Sequence, residues 1–350
     1  MMNSMKDMET KRKCIEPGML TYDTPPQILP YRTDKEGRYV LSKAEMQKLK
    51  YKLYKTIKTM KEENTIKAYK AFEKDMTCRY FQYEVGKEYE MDGKIECCTR
   101  GFHACESPLA LFFYYDIFSS RFAEVELSGT IDRRDGTLLC ASRIEVKREL
   151  TLRDILNAGF EWIKHNASPI VIARFGMYSD KGYDAKTMVA FHQGVKLDSY
   201  GRYAQLVSLS ELSNIGSLGD YAVIALSGDN GHIASSGFDA RIVSLGNGAQ
   251  IASSGDCADI VSFGDDARIS TSGNNANVCC EGERSVVVCS GFNSNVKASV
   301  GTWITLTEWK WCEEMQRTVP FTCTRYVDGE LIKADTWYTL KDNDFVETEI

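Results

Sequence analysis

The chain has 350 residues, a formal net charge of −6 and a charged fraction of 26%. That length allows two or three domains with ample core, and an acidic balance without any basic tract argues against bulk affinity for nucleic acid. The opening residues, MMNSMKDMETKRKC, hold no apolar signal-peptide region, and no run of about 18 apolar residues is present to span a membrane.

Residues 1–41 read as an extended arm, because TYDTPPQILP is punctuated by prolines that disfavour helix. Residues 42–64 read as an amphipathic helix. Ser42 and Glu45 form a capping box, and Met46, Leu49, Leu53, Ile57 and Met60 then line one face against a lysine-rich one. That stripe suits packing on the next domain or self-association.

Residues 65–165 read as an α+β module. IKAYKAF, CRYFQYEVG, RFAEVELSGTI and ASRIEVKREL are expected strands. Pro108 opens a short helix, LALFFYYD. Thr151 and Asp154 open a second, with Leu152, Ile155, Leu156, Phe160 and Ile163 inward. Cys97, Cys98, His103 and Cys105 form the one dense Cys/His cluster. Adjacent cysteines point apart in a strand, whereas a zinc site wants separated ligand pairs, so the reading is structural thiols and no metal. His103 and Cys105 are expected to pack or hydrogen-bond beneath the helix at Pro108. The chain has twelve cysteines; without a secretion signal they read as reduced thiols of a cytoplasm. No P-loop, dinucleotide fingerprint, nucleophile elbow or metalloprotease motif appears, and no cofactor is implied.

A stretch of roughly 20 residues, including ASPIVIARFGMYSDKG, leads to an all-β region at 183–300. There nine glycines, from Gly219 to Gly291, recur every nine residues. The sixth place of each unit is Ile or Val (Ile224, Ile233, Ile242, Ile251, Ile260, Ile269, Val278, Val287, Val296). The fourth is mostly Ala and the eighth mostly Ser, Thr or Cys. Places four, six and eight alternate as in a strand, and Gly with Asp or Asn supplies a turn in which positive φ is cheap. A ninth-place alternation of large and small residues pairs the units. About 18 residues then make one coil of a two-sheet β-solenoid. About twelve units give six coils and, at roughly 4.8 Å per stacked strand, a rod on the order of 30 Å long. The G-G-x-G-x-D calcium pattern is absent. Asp229, Asn247, Asp265 and Glu283 are expected to stack along one edge as solvated turn residues, with weak divalent-cation binding as the other option.

Places five and seven face outward in this register. Place five is polar (Arg241, Gln250, Asp259, Arg268), as solvated surface should be. Place seven is small and apolar: Ala225, Val243 and Val261 on one sheet, Ala234 and Ala252 on the other. Such a stripe suits a second copy, giving a homo-oligomer, most simply a dimer, or the protein's own N-terminal helix. Residues 301–350 read as a C-terminal β cap that blocks the open solenoid end. Trp303, Trp309, Trp311 and Trp337 are concentrated there, either as capping core or as exposed anchors for a partner.

YKAFEKDMTCRYFQYEVGKEYE, CTRGFHACESPLALFFYY, SRFAEVELSGTI and the closing IKADTWYTLKDNDFVE together resemble a family of uncharacterised bacteriophage and prophage proteins, from about residue 66 to the C-terminus. This array is richer in Ile and Asp than that family's, and the first 60 or so residues have no counterpart in it. The resemblance implies phage biology in a bacterial cytoplasm and supplies no chemistry. The reading is therefore a non-enzymatic interaction protein that binds a host or defence-system component, or itself, through the solenoid. The alternative is an enzyme. Glu124-Val125-Glu126 resembles the Glu-x-Glu strand of ADP-ribosyltransferases, with Arg79 and His103 as nearby candidates, which implies use of NAD. Against that pattern, Lys70 stands where Arg or His is wanted and HACES replaces the serine strand. A cleft holding Glu126 beside Arg79 or His103 would favour the enzyme.

Overall fold

The computed structural model describes residues 47, 48, 50, 51, 65–134, 138–166, 177–180 (backbone alone) and 187–350. The expected arm, 1–41, lies outside them. Of the expected helix at 42–64, the four described residues are helical. Residues 64–350 form one compact unit, separate from 1–63.

The module begins with β1 (Ile66–Phe72), β2 (Thr77–Cys78), β3 (Phe81–Gln82), β4 (Glu88–Glu90) and β5 (Phe102–Cys105). A 3-10 helix (Pro108–Phe113), the long hairpin β6 (Arg121–Arg134) and β7 (Leu138–Leu150), and α1 (Leu152–Asn166) follow. Strand β1 pairs with β5 and β6, and β7 pairs with both of those, so the sheet closes on itself. Ala68, Phe72, Phe102, Ala123, Val125, Leu127 and Ile144 fill its interior. CRYFQYEVG is not the single strand expected. It folds into the tight β2–β3 hairpin, in which Cys78 pairs with Phe81 around Arg79 and Tyr80. The α1 start is as the sequence indicates: the Thr151 hydroxyl and the Asp154 carboxylate exchange hydrogen bonds with each other's backbone amides (3.2 and 3.0 Å).

The solenoid runs from β8 (Met177–Asp180) through β21 (Asn295–Ala298), fourteen four-residue strands, two to a coil. Even-numbered strands form one parallel sheet and odd-numbered strands the other. Partners lie 18 residues apart: Ile233 pairs with Ile251, and Ile251 with Ile269. The sixth-place residues are buried between the sheets, as the periodicity requires. The array starts one coil earlier than its repeat. Strands β8 and β9 (Thr187–Ala190) pair in register with the second coil, yet their sequence shows no glycine ladder.

The ladder glycines do not serve the turn. The repeat glycines have ordinary φ; the positive φ falls at place three, on Tyr221, Asn230, Asp239, Cys257 and their equivalents. A Cβ at Gly255 would instead collide with the carbonyl oxygen of Gly237 in the coil before it. Each glycine of the ladder is held to that close approach, whereas place one of two earlier units carries His192 and Ser210, the Ser210 hydroxyl donating to the His192 carbonyl (2.7 Å). Where Asp or Asn follows the glycine, its side chain can bridge coils as well. Asp229 Oδ1 accepts the Asn247 amide (2.7 Å), Asn247 Oδ1 the Asp265 amide (2.9 Å) and Asp265 Oδ1 the Glu283 amide (3.0 Å). The expected edge stack is thus a hydrogen-bond ladder that satisfies turn amides.

The C-terminal end is covered by two hairpins. Strand β22 (Trp303–Cys312) adds to the even sheet and carries β23 (Arg317–Tyr326) as its edge. Strands β24 (Tyr338–Lys341) and β25 (Asp344–Glu347) cap the odd sheet.

The two sheets have different outer faces. On the odd sheet, Val207, Ala225, Val243, Val261 and Cys279 share one apolar cluster with Leu109, Leu111 and Phe112 of the 3-10 helix and with Ile155, Leu156, Phe160 and Ile163 of α1. The module lies on this sheet. On the even sheet Ala234 and Ala252 are exposed.

Candidate functional site

A cavity of about 490 Å³ opens in the module between the β2–β3 hairpin, β5 and the segment after the 3-10 helix. Lys70 lies at its base. On β1 it shares parity with Ala68 and Phe72 and so points inward, at 2% exposure. Its ammonium donates to the His103 carbonyl oxygen (2.9 Å) and to the Cys78 sulfur (3.5 Å). It also faces the Tyr83 ring at 5.3 Å. Burial pushes the Lys70 pKa down.

His103 takes part through its ring as well. The Cys98 amide donates to Nε2 (2.8 Å), so that nitrogen carries no proton. Burial, and then the charges of Lys70 and Arg79, lower its pKa. Arg79 sits at the hairpin tip with φ of +50°, beside Tyr80 at +66°. Phe81, Tyr83 and Phe102 form a cluster of edge-on rings at 4.8 and 5.8 Å. Tyr115 approaches the Cys78 sulfur with its hydroxyl (3.6 Å), and burial raises its pKa.

Arg79 and His103 are therefore brought together, but Glu124 and Glu126 are not part of that lining. Glu124 is bound by Lys67 (3.2 Å) and Arg148 (2.9 Å), whose hydrogen bonds hold its carboxyl below the usual range although burial opposes them. Glu126 pairs with Lys147 (3.1 Å). Both follow the outward parity of β6, opposite to Ala123, Val125 and Leu127. The geometry that would favour the transferase reading does not form.

Of the Cys/His cluster, Cys98, His103 and Cys105 line the cavity and Cys97 does not. Cys105 packs toward the solenoid side, and burial pushes its thiol up to about 12. The Cys97 amide donates to Asp132 (2.8 Å). Among the described residues, the group whose ligand atoms lie close enough for a metal is Cys97, Asp132 and Cys140, a combination that linear spacing did not suggest. Lys70 was missed as a site residue. Its signal was a lysine at an inward place of IKAYKAF, alternating with Ala68 and Phe72.

The expected binding surface divides in two. Ala225, Val243 and Val261 are at 0% exposure beneath the module, which corrects their assignment as an outward contact for a second copy. Arg241 and Asp259 at place five are covered as well, so the expected solvated surface exists only on the even sheet, at Gln250 and Arg268. Ala234 and Ala252 remain outside. Trp337 is half-buried against Phe118 of the module (ring centroids 5.0 Å). Trp303 and Trp311 are 50% and 56% exposed, and Trp309 is at the exposed margin, donating its indole N–H to the Ser290 carbonyl (2.9 Å). These three share the outer face of β22, and Trp303 continues a row from Arg268 and Val286 along the even sheet.

The fold is that of a β-solenoid carrying an α+β module on one of its sheets. Residues 66–158 match a family described as a domain of unknown function (DUF7666). That match covers the module and stops before the solenoid. No curated protein matches the chain. No solved structure matches it either. Among the described residues no helix is long and apolar enough to cross a membrane.

Proposed function

We infer that this protein acts by binding a protein partner and not by catalysis, and that the partner docks on the uncovered face of the even sheet and its β22–β23 extension. The observation that supports this is the exposure of Trp303 and Trp311 on one face of β22, with Trp303 beside Val286 and Tyr326. Exposed aromatics grouped in this way mark contact surfaces, and tryptophan is enriched among the residues that dominate binding energy. The module already covers the odd sheet, which leaves the even sheet as the long regular surface of the rod. Pro320 within β23 lacks an amide donor, which suits a side-chain contact over edge-to-edge strand pairing.

The resemblance to phage and prophage proteins adds the setting: a host or defence-system protein in a bacterial cytoplasm. Thiols such as Cys280 and Cys289, buried as small core residues, fit a reducing compartment. The experiment is affinity capture from bacterial extract with the wild-type chain and with a Trp303→Ser/Trp311→Ser variant, alongside light scattering of each. A discrete partner held by the wild type and lost from the folded variant is expected. Equal capture by both chains would remove the hairpin from the interface. A wild-type dimer that becomes monomeric in the variant would make the partner a second copy.

A further inference from the structure

The module's cavity is separate from that surface, and it carries its own chemistry. Lys70 is a desolvated cation, and neither of its partners, a carbonyl oxygen and a thiol, is a carboxylate. Arg79 makes no hydrogen bond or ion pair with any described residue. Glu73, exposed at the rim, is the one carboxylate in the described lining; it accepts the Thr77 hydroxyl (3.4 Å). A buried charge without a counter-charge is unfavourable until an anion arrives. The hairpin tip adds a second observation. Its two central residues both have positive φ, a turn that Asn-Gly fits without strain. Here the chain places Arg and Tyr in it, and strain held at a cavity mouth points to function. The remaining wall is aromatic, from Phe81, Tyr83, Phe102 and Tyr114.

We propose that this cavity binds a mononucleotide, with its phosphate held by Lys70 and Arg79 and its base lying among Phe81, Tyr83 and Tyr114. The volume of about 490 Å³ falls within the range of small-ligand sites. Phosphate matches the fork of an arginine and the point charge of a lysine. A base offers a flat face to the rings, which inorganic phosphate lacks. A neutral nucleoside fills the aromatic wall but leaves both cations unanswered. The complete ligand joins the two halves.

The test is calorimetric titration of the full chain with AMP, adenosine and inorganic phosphate, followed by GMP, CMP and UMP. At least one mononucleotide is expected to bind saturably, tenfold or more tighter than inorganic phosphate and, for AMP, than adenosine. Arg79→Ala alters an exposed side chain and should weaken that binding at least tenfold while the melting temperature stays put. Lys70→Met, which keeps the apolar stem, should abolish it. The proposal is overturned if all four mononucleotides bind no tighter than inorganic phosphate, if adenosine matches AMP, or if Arg79→Ala binds like the wild type.

Discussion

The odd and even sheets of the solenoid are built from the same nonapeptide, with the same buried isoleucines and the same coil spacing, yet they face different surroundings. On the odd sheet place seven carries Val207, Ala225, Val243 and Val261, and the module covers it. On the even sheet the corresponding places carry Gly216, Ala234, Ala252 and Ser270, and they remain open or half-open. The inward positions of a repeat are set by its own stacking. The outward positions are free to differ, and their size records what packs on them.

Substitution at place seven should separate the sheets most strongly. Val243→Asp puts a charge under α1 and the 3-10 helix and should cost roughly 3–5 kcal/mol. Ala252→Asp, at the same place on the even sheet, should change stability by no more than about 0.5 kcal/mol. Urea unfolding of the two variants reads the contrast directly. Equal losses would mean that the module does not cover the odd sheet in solution.

The glycines should show the opposite pattern, because their constraint comes from the neighbouring coil and not from the sheet. A methyl group at Gly255 would meet the Gly237 carbonyl, and one at Gly264 the Gly246 carbonyl. These glycines follow an even and an odd strand respectively. Each Gly→Ala change should cost about 1–3 kcal/mol by overpacking, and by similar amounts. A tolerated alanine at either place, seen as an unchanged melting temperature, would show that the coils sit too far apart for that collision.

An effect that appears only as pH rises is expected on the odd sheet. Asp259 is buried at place five, and burial raises its pKa to about 7 even though the Asn277 side-chain amide donates to it (3.0 Å). Asp116 and Asp239 push in the same direction as burial, and Arg241 opposes them. An acid whose pKa is higher in the folded state binds its proton more tightly there. Its cost is therefore absent below about pH 4 and grows as pH rises toward 7. Asp259→Asn should match the wild type at pH 4 and exceed its stability by on the order of 1–3 kcal/mol at pH 8. Melting curves at the two pH values decide it, and a variant less stable at pH 8 would mean that the carboxylate is stabilised by its neighbours.

How much of this was legible in the sequence varies with the range of the interactions. The solenoid was readable because its constraints repeat. Ile at place six, Gly at place one and Asp or Asn at place two each answer to the coil 18 residues away, so the same demand recurs and leaves a period. The first coil escaped the count because β8 and β9 lie before the glycine ladder begins. The turn chemistry was misassigned for a related reason: composition shows that glycine is required, but φ and close approach leave the same mark in a sequence.

In the candidate site, the Thr151–Asp154 cap was enough to start α1, whereas the parity on β1 that aims Lys70 inward was present but went unread. The company Lys70 keeps was not readable, because it depends on the β2–β3 hairpin folding back over β5 around two residues that rarely accept positive φ. Glu124 and Glu126 looked like a functional pair by spacing alone. Their partners Lys67, Arg148 and Lys147 come from strands β1 and β7 and assign them to ion pairs at the sheet surface. The sequence by itself determined the period, the core and the coil spacing, since each follows from contacts that every unit repeats. Tertiary structure decided which solenoid sheet is covered, which apolar stripe is buried and where the module's cations converge. Those depend on a single docking of one module onto one face, and an event that occurs once leaves no period to read.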